Sequence, residues 1–319
     1  MFEDWVEELM QLMCVREISL DSIKAAQRLK HRNFPESLYK FRGVNEWSLS
    51  NLRDATLHLT FAKTFNDPYD SAVDFDPCFG LTTVERVLNG IQGVSADMRQ
   101  AVLSAEDPML EVLKLHFSKS DAIGQVDDEA LAKVACELNG NYRTFATKAV
   151  TEMNKQLQGT YKICSLTERL DSLPLWAHYA SNHEGFVMEY DFRSLPFESL
   201  VGLSLWPVRY SGVFNASELL LGLQTGQPFN NLFGLIAALH KSPDWKYEEE
   251  WRLVLVDSED APPINFCAPL KAVYLGSKIN KSDEDLVVRE ALVAGVPVFK
   301  MRLVSHEFRM EAVPYAGSR

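Results

Sequence analysis

At 319 residues the chain is long enough to bury a substantial core, either as one large α/β or α+β domain or as two smaller ones. Hydrophobic residues make up 46% of it and charged residues 24%, which is typical of a soluble globular protein. The formal net charge of −12 argues against non-specific binding along duplex DNA, which depends on clustered lysine and arginine. A small basic pocket for one nucleotide remains compatible with that charge.

The sequence predicts a cytoplasmic protein that does not enter a membrane. The longest apolar runs, such as residues 232–239, are much shorter than a transmembrane helix. The first five residues are acidic and aromatic and lack the basic flank of a signal peptide. The five cysteines are scattered, with no C-x-x-C spacing, which favours reduced thiols over disulfides or a structural zinc site.

In chain order, the first predicted elements are two helices within residues 1–32, and we treat residues 1–37 as an N-terminal helical segment. Trp5, Val6 and Leu9 recur at helical spacing, and Ser19 or Asp21 is suited to cap the second helix. Strands are predicted at 38–42 and 56–61, with a short helix or turn at 49–54 between them. Residues 81–160 are predicted to form a helical insertion, with nearly continuous helix at 128–157.

From residue 161 onwards the pattern becomes strand-like. Strands are predicted at 161–166, 185–190, 208–210, 251–256, 272–275 and 298–303, and helices at 173–182 and 229–241. We find no internal repeat and no low-complexity linker, so residues 38–319 are expected to form one composite domain with the insertion at about 81–160. The predicted class is α+β, with a mixed β core.

Three short segments place polar residues in or beside strand-like apolar stretches, where a plain core strand would carry only apolar residues on its buried face. In chain order they are Leu38-Tyr39-Lys40-Phe41-Arg42, Cys164-Ser165-Leu166-Thr167 and Trp245-Lys246-Tyr247-Glu248-Glu249-Glu250-Trp251-Arg252. Together they supply an arginine, a Ser/Thr pair and a Glu-x-Glu leading into a strand.

Four motifs of the chain, two of them within these segments, resemble those of a bacterial family of unknown function. The shared motifs are a Tyr-Lys-aromatic-Arg start, an Asn-Asp-Pro-aromatic-Asp loop, a Trp-x-His-Tyr-Ala helix and a Trp-x-x-Glu-x-Glu-x-Arg strand. In this chain they lie at residues 39–42, 66–70, 176–180 and 245–252, so the resemblance extends from about residue 38 to residue 256. The family supplies no activity, so function has to be argued from the residues.

The order Arg, Ser/Thr, Glu-x-Glu is similar to that of the Arg-Ser-Glu type ADP-ribosyltransferases, although the spacers here are long. This resemblance implies a mixed β core that holds NAD as co-substrate and a macromolecular acceptor for ADP-ribose. By analogy it also implies a bacterial toxin or phage-defence effector, restrained by an antitoxin or another regulatory protein.

The same resemblance assigns roles to the motif residues. Arg42 would pair with the diphosphate or the nicotinamide-side ribose of NAD, with Tyr39 in the pocket wall. Ser165 and Thr167, two apart on one strand face, would bind the ribose and position the catalytic glutamate. Each has an alternative structural interpretation: a salt bridge for Arg42, and an ordinary solvated strand face for the two hydroxyls.

Glu248 and Glu250 are the predicted catalytic residues. Glu250 would stabilise the oxocarbenium-like state as nicotinamide leaves, and Glu248 would orient or deprotonate the acceptor. Bringing two carboxylates together costs electrostatic energy and raises the pKa of one of them, which a functional site can use. The alternative is an ion pair between Glu248 and Arg252 that anchors the neighbouring tryptophans.

The helix predicted at 173–182 supplies three further candidates. Trp176, His178 and Tyr179 could contact the nicotinamide, ribose or phosphate of NAD, while packing within the helix is an equal alternative for Trp176. The spacing of His178 and His183 does not place two imidazoles on one helix face, so no metal site is predicted there.

Two other functions compete with the transferase. A metal-dependent nuclease or hydrolase would use Asp67, Asp70, Glu248 and Glu250 around Mg²⁺, because a hard cation prefers carboxylate oxygens. A non-catalytic sensor would bind a nucleotide at Arg42 and signal through the helical insertion. Consumption of NAD separates the transferase from both.

Overall fold

The computed structural model describes residues 2–74, 79–119, 127–217, 230–257 and 264–316, and the statements below concern these residues. The helices are α1 Phe2–Met13, α2 Leu20–Arg32, α3 Glu46–Arg53, α4 Phe79–Gly90, α5 Ala96–Leu103, α6 Pro108–Ser118, α7 Asp128–Thr160, α8 Leu173–Tyr179, α9 Leu200–Ser204, α10 Phe233–Ala237 and α11 Lys281–Ala294. Short 3-10 helices lie at Ala62–Thr64, Phe192–Ser194 and Pro243–Glu248.

The strands are β1 Leu38–Arg42, β2 Thr56–Phe61, β3 Val73–Asp74, β4 Tyr161–Thr167, β5 Phe186–Tyr190, β6 Leu205–Pro207, β7 Arg209–Tyr210, β8 Phe214–Asn215, β9 His240–Lys241, β10 Glu250–Val256, β11 Ile264–Cys267, β12 Leu270–Leu275, β13 Val298–Leu303 and β14 Met310–Pro314. Most of them join one mixed sheet in the order β11-β2-β4-β1-β5-β12-β13-β14, from which β10 and β6 branch at β4. The predicted α+β class with a mixed sheet is confirmed.

The sheet divides at β4, and this division positions the candidate site. β2 pairs with the first part of β4 through Thr60↔Ile163, whereas β1 meets it at one pair, Tyr39↔Thr167. The edge of β4 between these two points has no neighbouring strand, and Ser165 lies on it. On its other edge β4 pairs with β10 along its whole length.

Apolar side chains form a separate core on each side of the sheet. One core packs the sheet against α3 and α11 and contains Trp251, Leu253 and Phe186. Another lies beneath α8, where Trp176 contacts the ring of Phe41 edge-on at 5.1 Å between centroids. These cores fix the strands whose polar residues line the site.

Helices α4 to α7 occupy the stretch predicted as a helical insertion. Val84, Leu88, Val102, Met109 and Val112 form a small apolar core of their own there. The end of α7 attaches this unit to the sheet region, because Asn154 exchanges two hydrogen bonds with the backbone of Val73. No helix of the described residues has both the length and the apolar character that crossing a bilayer requires.

Most element predictions from residue 1 to residue 61 are confirmed within a few residues, including the Ser19 cap, whose hydroxyl accepts from the backbone of Ser22. The helix predicted at 229–241 is wrong in extent: helix α10 covers only Phe233–Ala237, and the chain then enters strand β9. A short apolar run does not distinguish a buried helix from a buried strand. Residue 229 lies outside the described residues.

Candidate functional site

A cavity of about 350 Å³ lies where β1 and β4 separate. Residues from all three predicted motifs line it: Tyr39, Lys40, Phe41, Arg42, Ser165, Leu166, Thr167, Glu248 and Glu250, joined by Gly43, Asn45, Thr60, Phe65, Asn66, Asp70, Leu175, Tyr179 and Lys241. Residues more than 200 positions apart in the sequence thus face one space, as the motif order predicts.

The split of the sheet explains how these residues share one cavity. Side chains alternate along β1, so Lys40 and Arg42 point to the face of the sheet opposite Tyr39. Tyr39 pairs with Thr167, and Thr167 pairs with Glu250, so these three side chains share one face. In an unbroken sheet the basic residues and Glu250 would lie on opposite faces. Here the gap beside β4 admits the Lys40 side chain, whose Nζ donates to the Ser165 carbonyl oxygen at 2.6 Å.

Arg42 has no carboxylate partner among the described residues, so the salt bridge weighed as its alternative role is absent there. Its Nε is buried without a hydrogen-bond partner. The backbone around Arg42 is tightly enclosed, because a Cβ added at Gly185 would lie 2.1 Å from the Arg42 carbonyl oxygen. A half-buried guanidinium whose Nε lacks a partner can bind an anion such as a phosphate.

Ser165 and Thr167 lie two apart on β4, as predicted, but they differ in role. Thr167 is buried, and its hydroxyl donates to the Glu248 carbonyl oxygen and accepts from the Arg169 backbone amide. The Thr167 hydroxyl therefore connects β4 to the turn that carries Glu248. Ser165 is partly exposed in the cavity wall.

Glu248 and Glu250 approach each other through a turn and not through a regular strand. Glu248 ends the 3-10 helix, β10 begins at Glu250, and Glu249 between them has a left-handed backbone with φ 44°. The kink brings both carboxylates to one cation, Lys241, whose Nζ lies 2.6 Å from Glu248 Oε2 and 2.8 Å from Glu250 Oε2. Glu248 also accepts from the Tyr179 hydroxyl at 2.9 Å.

The predicted alternative of a Glu248–Arg252 ion pair is wrong, because Arg252 binds other carboxylates. Arg252 is fully buried and forms a bidentate pair with Asp70, at 2.7 and 2.6 Å. Its Nε donates to Glu250 at 2.8 Å, and its Nη1 also donates to the Ala238 carbonyl oxygen. The chain of contacts Asp70–Arg252–Glu250–Lys241–Glu248–Tyr179 is hereafter called the charge chain.

The two glutamates of the charge chain have opposite pKa shifts. Burial raises the pKa of Glu250, but attraction to Arg252 and Lys241 outweighs it and lowers the pKa to about 2. Burial raises the pKa of Glu248, and the nearby charge of Glu250 adds to this effect beyond what Lys241 offsets. At neutral pH Glu250 is therefore ionised, and of the two Glu248 is the one suited to take up a proton.

Burial opposes the charged form of Lys241, but attraction to Glu250 and Glu248 raises its pKa overall. The Tyr179 pKa is also raised, first by burial and then by Glu248, so its hydroxyl stays a donor. Lys40 differs, because burial lowers its pKa more than the neighbouring Cys164 and Glu250 raise it. Its Nζ donates to the neutral Ser165 carbonyl oxygen.

The aromatic candidates separate into two groups. Tyr39 and Tyr179 line the cavity. Trp176 is fully buried and its indole N–H donates to the Leu170 carbonyl oxygen at 2.7 Å, so the structure places it in the core and not in the cavity wall. His178 is exposed next to Tyr179 and is not among the lining residues.

Lys241 and Lys40 are functional candidates that the sequence analysis missed, and Arg252 was considered only as a partner of Glu248. Arg252 has a sequence signal: in β10, charged Glu250 and Arg252 alternate with apolar Trp251 and Leu253, so two charges share one buried strand face. Lys241 has none, since it follows an apolar run and reaches the glutamates only through the fold.

The carboxylates proposed for Mg²⁺ already have other partners. Asp70 and Glu250 bind Arg252, and Asp67 accepts from the Trp245 indole at 3.1 Å and from the Tyr69 amide at 2.9 Å. Within the described ranges, no three or more His, Cys, Asp or Glu side chains are arranged to hold a metal ion. Asp70 instead belongs to the charge chain through its pair with Arg252.

A second cavity of about 440 Å³ adjoins the first, and Asn66 and Lys241 belong to both. Its walls include the exposed ring of Tyr69 and the ring of Trp245, over which the Lys241 ammonium lies 4.9 Å from the centroid. Lys241 therefore stands between the two cavities.

Comparison with known proteins gives a match to a family model over part of the chain and no activity. No curated protein and no solved structure is significantly similar to this chain. The model of one family matches residues 175–253. Tyr179, Lys241, both glutamates and Arg252 lie within this stretch, whereas Arg42, Ser165 and Thr167 lie outside it. Residues 175–253 match the model of a family described as "Protein of unknown function (DUF2971)", which confirms the resemblance to a family of unknown function.

Proposed function

We propose that this protein is an ADP-ribosyltransferase-like enzyme that cleaves NAD and transfers ADP-ribose to a macromolecular acceptor. One observation carries the proposal: Arg42, the Ser165/Thr167 pair and the Glu248/Glu250 pair, on three separate parts of the chain, line a single cavity. The volume of about 350 Å³, continued by the second cavity, lies in the range of small-molecule sites.

The basic side of the cavity suits the diphosphate of a dinucleotide. Arg42 offers a planar guanidinium whose Nε has no partner among the described residues, and Lys40 adds a second positive charge nearby. Binding of a phosphate would satisfy the buried Nε, whose desolvation is otherwise uncompensated. The overall net charge of −12 does not oppose this, because the positive groups are confined to a small site.

The acidic side suits the bond-breaking step. The bond between ribose C1′ and the nicotinamide nitrogen breaks, and its electron pair leaves on that nitrogen, which neutralises the pyridinium. The ionised Glu250 stabilises the positive charge that develops on the ribose. As this bond breaks, a lone pair of the acceptor bonds to C1′ and the proton released from the acceptor passes to Glu248, so nicotinamide release also depends on this base.

The first test measures nicotinamide release from NAD by the purified protein, with and without bacterial lysate as a source of acceptor. We expect release by the wild type and loss of at least about 100-fold in Glu248→Gln, in line with the usual contribution of general base catalysis. Arg42→Met should raise the KM for NAD.

The matched control is Glu249→Gln, which changes the same residue type one position away. The Glu249 side chain is 42% exposed and pairs with Arg169 outside the cavity, so this variant should keep wild-type release. NAD binding without turnover in any lysate would instead favour the nucleotide sensor. If the protein neither binds NAD nor turns it over, the proposal is refuted.

A further inference from the structure

Lys241 is the one cation that contacts both glutamates of the charge chain in the described part of the protein. Its ammonium lies 2.6 Å from Glu248 and 2.8 Å from Glu250, and its side chain is only 8% exposed. Both contacts are to the Oε2 atoms, which leaves Glu248 Oε1 to Tyr179 and Glu250 Oε1 to Arg252. Lys241 thus fixes where the two carboxylates stand relative to each other.

The position of Lys241 is itself held by the fold. It ends strand β9, which pairs in parallel with β7 through Tyr210↔Lys241. The Tyr210 hydroxyl in turn accepts from the Glu250 backbone amide at 2.7 Å, so the strand that presents Lys241 is tied to the start of β10. The Trp245 ring covers the ammonium from the second cavity.

Without a cation between them, two buried carboxylates this close would not both stay ionised. Removal of Lys241 would leave Glu250 with Arg252, but Glu248 would keep only the neutral Tyr179 hydroxyl. Glu248 would then take up a proton at a higher pH than in the wild type. A protonated Glu248 cannot accept a proton from an acceptor nucleophile.

We propose that Lys241 is a positioning residue of the site, which holds Glu248 and Glu250 together and keeps Glu248 ionised so that it can serve as the base. This inference rests on the proposed function for its kinetic consequence, although the ionisation of Glu248 can be measured without it. No role in the chemistry itself is assigned to Lys241, because its ammonium donates to the two carboxylates.

Other charged and titratable groups also face the two glutamates. Tyr179 on α8 and Tyr247 on the 3-10 helix lie near Glu248, and Tyr210 on β7 lies near both glutamates. Arg252 on β10 and Lys40 on β1 act on Glu250. Among these groups Lys241 alone makes an ion pair with Glu248, whereas Glu250 also has Arg252, so substitution of Lys241 should raise the pKa of Glu248 more than that of Glu250.

The experiment compares Lys241→Met with Lys241→Arg by two readouts. The first is the carboxyl infrared signal of ¹³C-glutamate-labelled protein, with Glu248→Gln used to assign the Glu248 band. The second is the pH dependence of kcat for nicotinamide release. In Lys241→Met the midpoint of the Glu248 titration and that of the acid limb of kcat should both shift to a pH higher by about one to three units. This is the usual effect of removing one adjacent opposite charge.

Lys241→Arg keeps the charge and should restore most of the wild-type titration and rate, which a purely steric role would not predict. If Lys241→Met does not fold, Lys241→Gln carries the same expectation, because it retains a donor and lacks the charge. An unchanged Glu248 titration in a folded neutral variant would overturn the inference even if NAD cleavage is observed. If the Glu248 titration is displaced in Lys241→Met but the wild type does not cleave NAD, only the proposed function is refuted.

Discussion

Replacement of Arg252 by methionine tests the energetic role of the charge chain. Arg252 is fully buried, and its guanidinium donates two hydrogen bonds to Asp70 and two to Glu250. Methionine has a similar length but no charge, so it leaves the buried Asp70 carboxylate without a cation. Breaking a buried pair in this way costs about 3–5 kcal/mol.

The pH dependence of the stability lost in Arg252→Met gives an independent check that the broken ion pairs cause this loss. In the wild type Glu250 has a pKa of about 2 against an ordinary 4.5, so its contribution is present above pH 4.5 and is lost as the pH falls towards 2. That difference corresponds to about 3 kcal/mol. The difference in unfolding free energy between the wild type and Arg252→Met should therefore be largest at pH 7. It should shrink below pH 4.5, where the wild type itself loses the stabilisation from ionised Glu250.

Urea unfolding followed by circular dichroism at pH 7 and pH 3.5 would measure both effects. Arg309→Met is the matched control, because Arg309 pairs with Glu307 at 2.9 Å but the two side chains are 50% and 59% exposed. Exposed pairs contribute at most about 1 kcal/mol. The reasoning is refuted if the two variants lose equal stability at pH 7, or if the Arg252→Met deficit is the same at both pH values.

Three further predictions follow from buried groups elsewhere in the fold. Trp176→Ala should destabilise the protein by about 3–5 kcal/mol in urea, because the indole is fully buried and bonded to Leu170; a folded variant with only weakened NAD binding would contradict this. Gly185→Ala should lower the unfolding midpoint, since a Cβ there meets the Arg42 carbonyl oxygen at 2.1 Å, and a neutral effect would show that the backbone can yield. Lys30→Met should be at least as stable as the wild type at pH 7, because burial lowers the Lys30 pKa well below 10.5 and charging it opposes folding; this advantage should diminish as the pH approaches 10.5 in an unfolding series.

The sequence was sufficient for features set by local pattern. Helical spacing in the N-terminal segment predicted α1 and α2, and the alternation in Thr56–Phe61 predicted β2. The motif residues also identified three parts of the cavity wall, because an arginine, a Ser/Thr pair and a glutamate pair are unusual beside apolar strands. The periods of 3.6 and 2 residues are properties of the backbone and need no tertiary information.

Tertiary structure decided which of these residues share a space and what each one contacts. Spacing along β10 indicates that Glu250 and Arg252 face the same way, but it does not reveal that Asp70, 182 positions earlier, completes the Arg252 pair. Lys241 lacks any sequence signal, because its role depends on the parallel pairing of β9 with β7. The gap that admits Lys40 exists because β1 and β2 meet β4 at different points, and strand pairing of this kind is fixed by long-range packing and not by local propensity.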